Sequence, residues 1–414
     1  MLSRLKYKFL NQSSEFRSDL SDSVPDLPRT RQDNASIHTI ERPPIHRIET
    51  SFNIFLTFAR IRAHKLRGSD LQYVFLFFVG VFCFFVVEEP KLVFKILIAI
   101  ALLTAILIPV TSQFFFPFLP IAAYLFLFYS SRFIPTEWRP SIWVTVLPTL
   151  ETSLYGGNLS SMLASNPKPV LDILAWLPYG IMHYGAPFVV SILIFVFASP
   201  GSLPVFARSF GYMSLFGVII QNMFPTCPPW YEISNGLTPA SYSMPGSPGG
   251  LARVDQLLGT SLYTSAFSAS PLAFGAFPSL HSADSVLEAL FLSHVFPRLT
   301  PLFVVYVLWI WWSTMYLTHH YFIDLTGGAV LATSIFLVAR WNFLPNPQKG
   351  KRSRWQYEYI ELADYDRPPP SSSSRRPPLN RKLTTLGASS LEDDDEMDDP
   401  FVGSNKLGNE NGYY

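Results

Sequence analysis

Eight apolar runs divide the middle of this chain, and they constrain its folding more than any other feature of its 414 residues. They occupy Leu71 to Val87, Leu92 to Val110, Phe114 to Ser130, Ile173 to Ala198, Val205 to Phe224, Ser282 to Phe296, Leu302 to Leu317 and Leu325 to Arg340. A helix crosses the hydrocarbon core of a bilayer with about 20 apolar residues, within a range of about 17 to 25. Most of the runs meet that length. The sixth is short and carries Asp284 and Glu288, so alone it reads as a buried soluble helix, but its neighbours argue for counting it. The expected fold is therefore all-α, a polytopic membrane bundle of about eight transmembrane helices with disordered polar termini.

With 31 Lys and Arg against 30 Asp and Glu, net charge says nothing about partners and gives no sign of nucleic-acid binding; the positions of the charges say more. Arg60, Arg62, Lys65 and Arg67 precede the first run, and Lys349, Lys351, Arg352 and Arg354 follow the last. The positive-inside rule puts both flanks in the cytosol and so requires an even number of spans. Eight satisfies it, and the threading then places the loops at 131–172 and 225–281 and the turn at 318–324 together on the opposite side. Of the two cysteines, Cys83 falls in a span and Cys227 in a loop, so no disulfide framework is implied and Cys227 offers a labelling site on that side. The first run starts near residue 71, so the first span reads as an uncleaved anchor.

Four regions follow. Residues 1–50 are polar and read as disordered cytosolic sequence. Residues 51–70 mix aromatic and basic residues, either as an interfacial helix or as a basic flank that fixes topology. Residues 71–344 form the membrane catalytic domain, and 345–414 a cytosolic low-complexity tail with a Pro/Ser-rich stretch and an acidic run. Within the second region of loops, Thr226 to Pro278 is dense in Pro, Gly and Ser, and its aromatic content favours an ordered lid over a slack linker. Asn158-Leu159-Ser160 is a glycosylation sequon.

The candidate chemistry sits in Phe277-Pro278-Ser279-Leu280-His281 and His319-His320-Tyr321-Phe322-Ile323-Asp324, each at the edge of an apolar run. Ionisable groups at such places mark a functional site. His320 and Asp324 are four apart, which on a helix lets the carboxylate accept the imidazole N–H, fix the tautomer and leave the other nitrogen free to attack. His319 takes a lesser positioning role. Pro278 and Ser279 read as a helix start, with His281 in the first turn at a natural anion site, placed to act as acid and then base. Two imidazoles and one carboxylate, with no thiolate or acidic cluster to hold a metal, suggest cofactor-free and metal-free transfer through a covalent histidine. His183, between Pro178 and Pro187 in an apolar run, is read with Tyr179 and Tyr184 as part of a substrate cleft, or as a structural hydrogen bond.

These residues resemble the signatures of the type 2 phosphatidic acid phosphatase superfamily: Pro-Ser-Gly-His, and Ser-Arg, five residues, His, three residues, Asp. Ser279, His281, Ser313, His320 and Asp324 match, while Leu280 stands for the glycine and Thr314 for the arginine. Arg132, six residues and Arg139-Pro140 is a weak counterpart of the remaining signature. From about residue 135 to 360 the chain more closely resembles the catalytic subunit family of fungal inositol phosphorylceramide synthases, through 154–160, 171–187, 204–217, 247–255 and 274–324. The resemblance implies a phosphatase-like core in the Golgi membrane that transfers phosphoinositol from phosphatidylinositol to ceramide, with a small regulatory membrane subunit. It implies phosphate or substrate contacts for Ser279, Ser313 and an arginine replacing the one missing at Thr314, either Arg139 or Arg253, the latter equally readable as a structural contact. A lipid phosphatase using water, or a non-catalytic scaffold or transporter, are the competing readings.

Overall fold

The computed structural model describes residues 47–357. The polar start as far as residue 46 and the tail from 358, with its Pro/Ser-rich and acidic runs, lie outside the described residues. Among the described residues there is no strand; isolated bridges join Trp143, Thr226 and Gly275. The helices before the loops are α1 (Ile54–Ala63), α2 (Leu71–Val86), α3 (Leu92–Leu107) and α4 (Pro109–Ser130). Two short helices follow, α5 (Val146–Tyr155) and α6 (Leu159–Ala164). Next come α7 (Pro169–Trp176), a π-turn at Leu177–Met182, α8 (His183–Phe197) and α9 (Ser202–Met223). The second loop region holds α10 (Pro229–Asn235), α11 (Leu251–Leu258) and α12 (Leu262–Ser268). Last are α13 (Leu280–Val295), α14 (Thr300–Tyr316) and α15 (Phe322–Asn342).

Among the described residues, six segments are long and apolar enough to cross a membrane: Gly68–Val86, Pro109–Phe133, Pro169–Phe197, Ser202–Met223, Pro297–Tyr316 and Phe322–Asn342. The other two expected spans form helices of 16 residues, α3 and α13. The boundary between α3 and α4 lies earlier than the apolar pattern suggests. Pro109 disfavours helical geometry at Ile108, which is extended, and itself starts α4 at the first helical position. No residue of α3 is buried, and Phe77 and Phe85 on α2 are among the most exposed large side chains. Such surfaces suit contact with lipid.

α13 is short because protein, not lipid, surrounds it. Ala283, Leu287 and Phe291 pack among Val190 and Ile194 of α8, Phe206, Phe210 and Met213 of α9, and Ala332 and Phe336 of α15. α13 and α15 cross at their N-terminal ends, where a Cβ at Gly328 would overlap the Ser279 carbonyl oxygen. A glycine there lets the two chains approach closely.

The stretch from 226 to 278, irregular by its sequence, is built around α10, α11 and α12. Cys227, Trp230, Tyr231 and Phe274 form one apolar cluster. Its frame is a set of backbone bonds, Thr226 N–H to Phe274 O at 2.7 Å and Cys227 N–H to Trp143 O at 3.2 Å. Burial pushes the Cys227 thiol up to about 12, so this cysteine is inert and unsuitable as the labelling site that its loop position suggested. Residues 345–357 pack back on the bundle: Arg354 lies 4.1 Å over the Phe195 ring, and Tyr357 is buried.

Gly328→Ala is expected to lower stability by about 1–3 kcal/mol, as overpacking does, and to reduce activity by shifting Ser279. Gly68→Ala, with nothing within 4 Å of the added Cβ, serves as the control. Thermal denaturation of both purified variants in detergent checks this; equal midpoints would contradict the close crossing.

Candidate active site

The turn between α14 and α15 carries two histidines in a backbone that few sequences adopt. Thr318 has φ 64°, a left-handed conformation costing a β-branched residue about 1–2 kcal/mol. The surroundings hold it there. Trp230 N–H donates to Thr318 O at 2.9 Å and Gly250 N–H to Leu317 O at 2.9 Å. His319 N–H and His320 N–H both point at Thr314 O, at 2.9 and 3.4 Å. Gly249 fits this contact with its own φ of 51°; a Cβ there would sit 2.6 Å from Leu317 O.

α15 begins after this turn, so His320 precedes the helix instead of lying on its face, which differs from the sequence expectation. Asp324 reaches it by capping: its Oδ2 accepts the Tyr321 N–H at 2.9 Å and stands 3.5 Å from His320 Nδ1. The next two N–H groups, of Phe322 and Ile323, donate to Glu151 Oε1 and Oε2 at 3.1 and 3.0 Å. Two carboxylates thus satisfy the orphan donors of one helix start. Tyr321 Oη donates to Glu232 Oε2 at 2.9 Å, which also accepts from Asn158 Nδ2 at 2.6 Å. Asn158 Oδ1 caps α6 by accepting from Ser161 N–H at 2.9 Å, so both ends of the sequon asparagine are engaged in structure.

Ser279 caps α13, accepting from Ser282 N–H at 3.3 Å, and its own N–H donates to Asp324 O at 3.0 Å. That bond joins the two motifs. It brings His281 Nδ1 to 3.1 Å from His320 Nε2, leaving His320 Nδ1 toward Asp324. Tyr179 stacks on His281 at 4.5 Å and on His319 at 5.1 Å between ring centroids, and Phe267 lies 4.6 Å from His319. His319 Nε2 donates to Pro248 O at 3.1 Å, since a carbonyl only accepts. His183 lies 4.4 Å from His281, with Tyr184 edge-on to it at 5.2 Å. The π-turn containing Pro178 gives Tyr179 and His183 this common direction, as such turns often do at functional sites.

Other expected contacts fall elsewhere. Ser313 Oγ donates to Trp309 O at 2.7 Å and Thr314 Oγ1 to Trp311 O at 2.9 Å, both within α14. Arg139 donates to the carbonyls of Ile134, Ser131 and Arg132 and lies 4.8 Å over the Tyr242 ring, holding its own loop. Arg253 forms a fork with Asp172, at 2.9 and 3.2 Å from Nε and 2.7 Å from Nη2. A cavity of about 440 Å³ is lined by Arg132, Arg139, Gln221 and Asn222 and includes none of the histidines. Among the described residues, no group of three or more His, Cys, Asp and Glu is arranged to hold a metal ion. Glu151 and Asp172 were not anticipated; each is a lone carboxylate in an apolar stretch, and that isolation was the available signal.

Burial, with a smaller push from His320, drives the His319 imidazole down to about 3. An unfolded histidine takes its proton near pH 6.5, so below that the unfolded state binds more protons and stability falls. This contribution is complete above about pH 6.5 and is lost toward pH 3, by about 1.4 kcal/mol per pH unit. Denaturation midpoints from pH 7.5 to 5 should fall more steeply in the wild-type protein than in His319→Phe. Parallel slopes would show that His319 is not held neutral.

Residues 147–338 match the PAP2 superfamily. The inositol phosphorylceramide synthase catalytic subunit of Schizosaccharomyces pombe is 56% identical over 315 residues, covering 76% of this chain and 75% of that protein. The corresponding catalytic subunit of Saccharomyces cerevisiae is 49% identical over 331 residues, covering 79% and 82%. No solved structure matches the chain. Likeness at this level, over about three quarters of each chain, places the chain in the family of inositol phosphorylceramide synthase catalytic subunits.

Proposed function

We propose that the protein transfers phosphoinositol from phosphatidylinositol to the primary hydroxyl of ceramide, releasing diacylglycerol, by way of a phosphohistidine. The observation that carries the mechanism is the 3.1 Å approach of His281 Nδ1 to His320 Nε2, with Asp324 behind the other nitrogen of His320. The transferring phosphorus enters between the two rings and replaces their mutual hydrogen bond. His320 Nε2 attacks phosphorus as the bond to the diacylglycerol oxygen breaks, and His281 gives that oxygen its proton. Ceramide hydroxyl then returns a proton to His281 and attacks phosphorus, and the bond to His320 breaks. Asp324 holds the tautomer that leaves Nε2 unprotonated. Phe267, Pro248 and Gly249 from the ordered loop close over His319 beside this pair, which supports transfer to a lipid over transfer to water.

The Lys and Arg flanks support cytosolic termini and a lumenal site, and the family likeness supports a Golgi membrane and a small regulatory membrane subunit. Leu237, exposed on the loop, replaces Cys227 as reporter. Leu237→Cys in sealed vesicles should resist a membrane-impermeant thiol reagent applied from the cytosolic side, and its labelling from that side would reverse the threading.

Purified protein incubated with labelled phosphatidylinositol in EDTA is expected to form a phosphoinositol sphingolipid only when ceramide is added. Release of free phosphoinositol without ceramide would instead identify a phosphatase, and loss of turnover restored by a divalent ion would exclude the metal-free mechanism. His320→Ala should abolish diacylglycerol release, and Asp324→Asn should slow it by about a hundredfold or more. With a phosphodiester bearing a good leaving group, His281→Ala should accumulate adduct on His320 and fail to pass it to ceramide. Mass spectrometry showing the adduct on His281 would invert the two roles.

A further inference from the structure

Asp284 and Glu288 sit on α13 just beyond His281, and the mechanism above uses neither. Both are buried, at 8% and 1% exposure. Elsewhere the buried carboxylates are better supplied: Asp324 keeps one unpartnered oxygen, but its other oxygen caps a helix by accepting the Tyr321 N–H. Asp172 has the Arg253 fork, Glu151 has two backbone donors, and Asp255 accepts from Tyr263 N–H at 3.1 Å and Thr264 N–H at 2.8 Å. Glu288 is half satisfied, by Tyr306 Oη at 3.0 Å. Asp284 Oδ1 has no hydrogen-bond partner, and Oδ2 approaches only His183 Nδ1 at 3.9 Å, too far for a hydrogen bond. An unpaired acceptor among apolar helices is costly.

The position of that acceptor indicates its ligand. His183 touches both Asp284 and His281, and the His183 and Asp284 side chains keep 16% and 12% exposure. Tyr184, edge-on to His183, is exposed on the outer surface of α8. On the reaction proposed above, two lipids must react beside His281. Phosphatidylinositol has donors in its inositol hydroxyls, but in an in-line transfer the groups beside His281 are the leaving diacylglycerol, whose ester oxygens only accept, and the incoming acceptor lipid. Ceramide carries two donors close to its reacting hydroxyl, the amide N–H and the 3-hydroxyl. On the His281 side a carboxyl oxygen therefore matches ceramide and not the diacylglycerol part of phosphatidylinositol.

We propose that Asp284 recognises the acceptor lipid: it receives the amide N–H and 3-hydroxyl of ceramide and so sets the primary hydroxyl beside His281. This inference rests on the transfer reading. It also separates ceramide from diacylglycerol, which has a primary hydroxyl but neither donor. A polar site loses most when a substrate arrives without the group that it was built to bond.

The test is acceptor selectivity of the purified full-length protein in phospholipid nanodiscs, taken as kcat/KM for ceramide over that for 3-deoxyceramide and for N-methylceramide. Each analogue keeps the primary hydroxyl. The wild-type protein should prefer ceramide by about tenfold or more over at least one analogue, and Asp284→Ala should reduce that ratio to within about twofold of unity. A loss of stability alone would lower all three rates and leave the ratios unchanged. If Asp284→Ala does not fold, Asp284→Asn, with the same shape and one acceptor oxygen, should give an intermediate ratio. A ratio kept in full by the folded variant, or a wild-type protein indifferent to both analogues, would overturn the role of Asp284 while leaving ceramide transfer intact. A wild-type protein that makes no ceramide-dependent product would overturn the transfer reading and this inference with it.

Discussion

One backbone hydrogen bond, Ser279 N–H to Asp324 O at 3.0 Å, ties together the two helix starts that carry the histidines. Everything at the site depends on those starts being side by side. The bond is possible because Gly328 lets α15 approach the Ser279 carbonyl, and it persists because each start is otherwise satisfied, α13 by the Ser279 hydroxyl and α15 by Asp324 and Glu151. A helix N-terminus leaves donors that water would normally fill. Here side chains fill them, and the histidines emerge from fixed backbone on both sides of a 3.1 Å gap.

The surrounding medium explains the rest of the layout. Outward helices such as α3 need no buried face, since apolar side chains along their length meet lipid. That frees the central position for α13, whose carboxyls would be expensive on a lipid-facing helix. Precision at the reacting end comes from the loops. Trp230 and Gly250 hold the strained Thr318 turn, and Tyr179 and Phe267 clamp the ring of His319. A strained turn survives only when neighbours over-determine it, which is what this loop packing supplies.

Local pattern made the helices and the principal residues legible. Apolar runs marked the helices because length and polarity are properties of contiguous sequence. His281 and the His320–Asp324 spacing were recognisable because a helix start imposes a short-range geometry, although Asp324 acts through the cap and not along a helix face. Pairings across long separations were not legible. Arg253 looks like a free cation until Asp172, 81 residues away, is found on it, and Arg139 likewise until its carbonyls are known. The order in the 226–278 loop rests on an aromatic cluster that periodicity does not register. Asp284 was conspicuous as a charge in an apolar run, but only the absence of a partner in three dimensions makes it a candidate for binding.

The fate of the arginines bears on which phosphate ester this site suits. A superfamily arginine is absent at Thr314, whose hydroxyl turns back on its own helix, and the two arginines proposed to replace it are engaged elsewhere. Aromatic and imidazole rings, Tyr179 and His183, lie directly against His281 of the reacting pair. A phosphomonoester near neutral pH brings close to two negative charges, and stabilising its transfer calls for several cations aimed at the equatorial oxygens. A phosphodiester brings one. On the proposed reaction a proton on His281 would offset that charge and pass to the leaving oxygen, although burial and the neighbouring imidazoles disfavour the protonated ring until the anionic phosphate enters. On the proposed transfer, a missing arginine would bias the site toward diesters, just as a carboxyl left without a partner would bias it among acceptors.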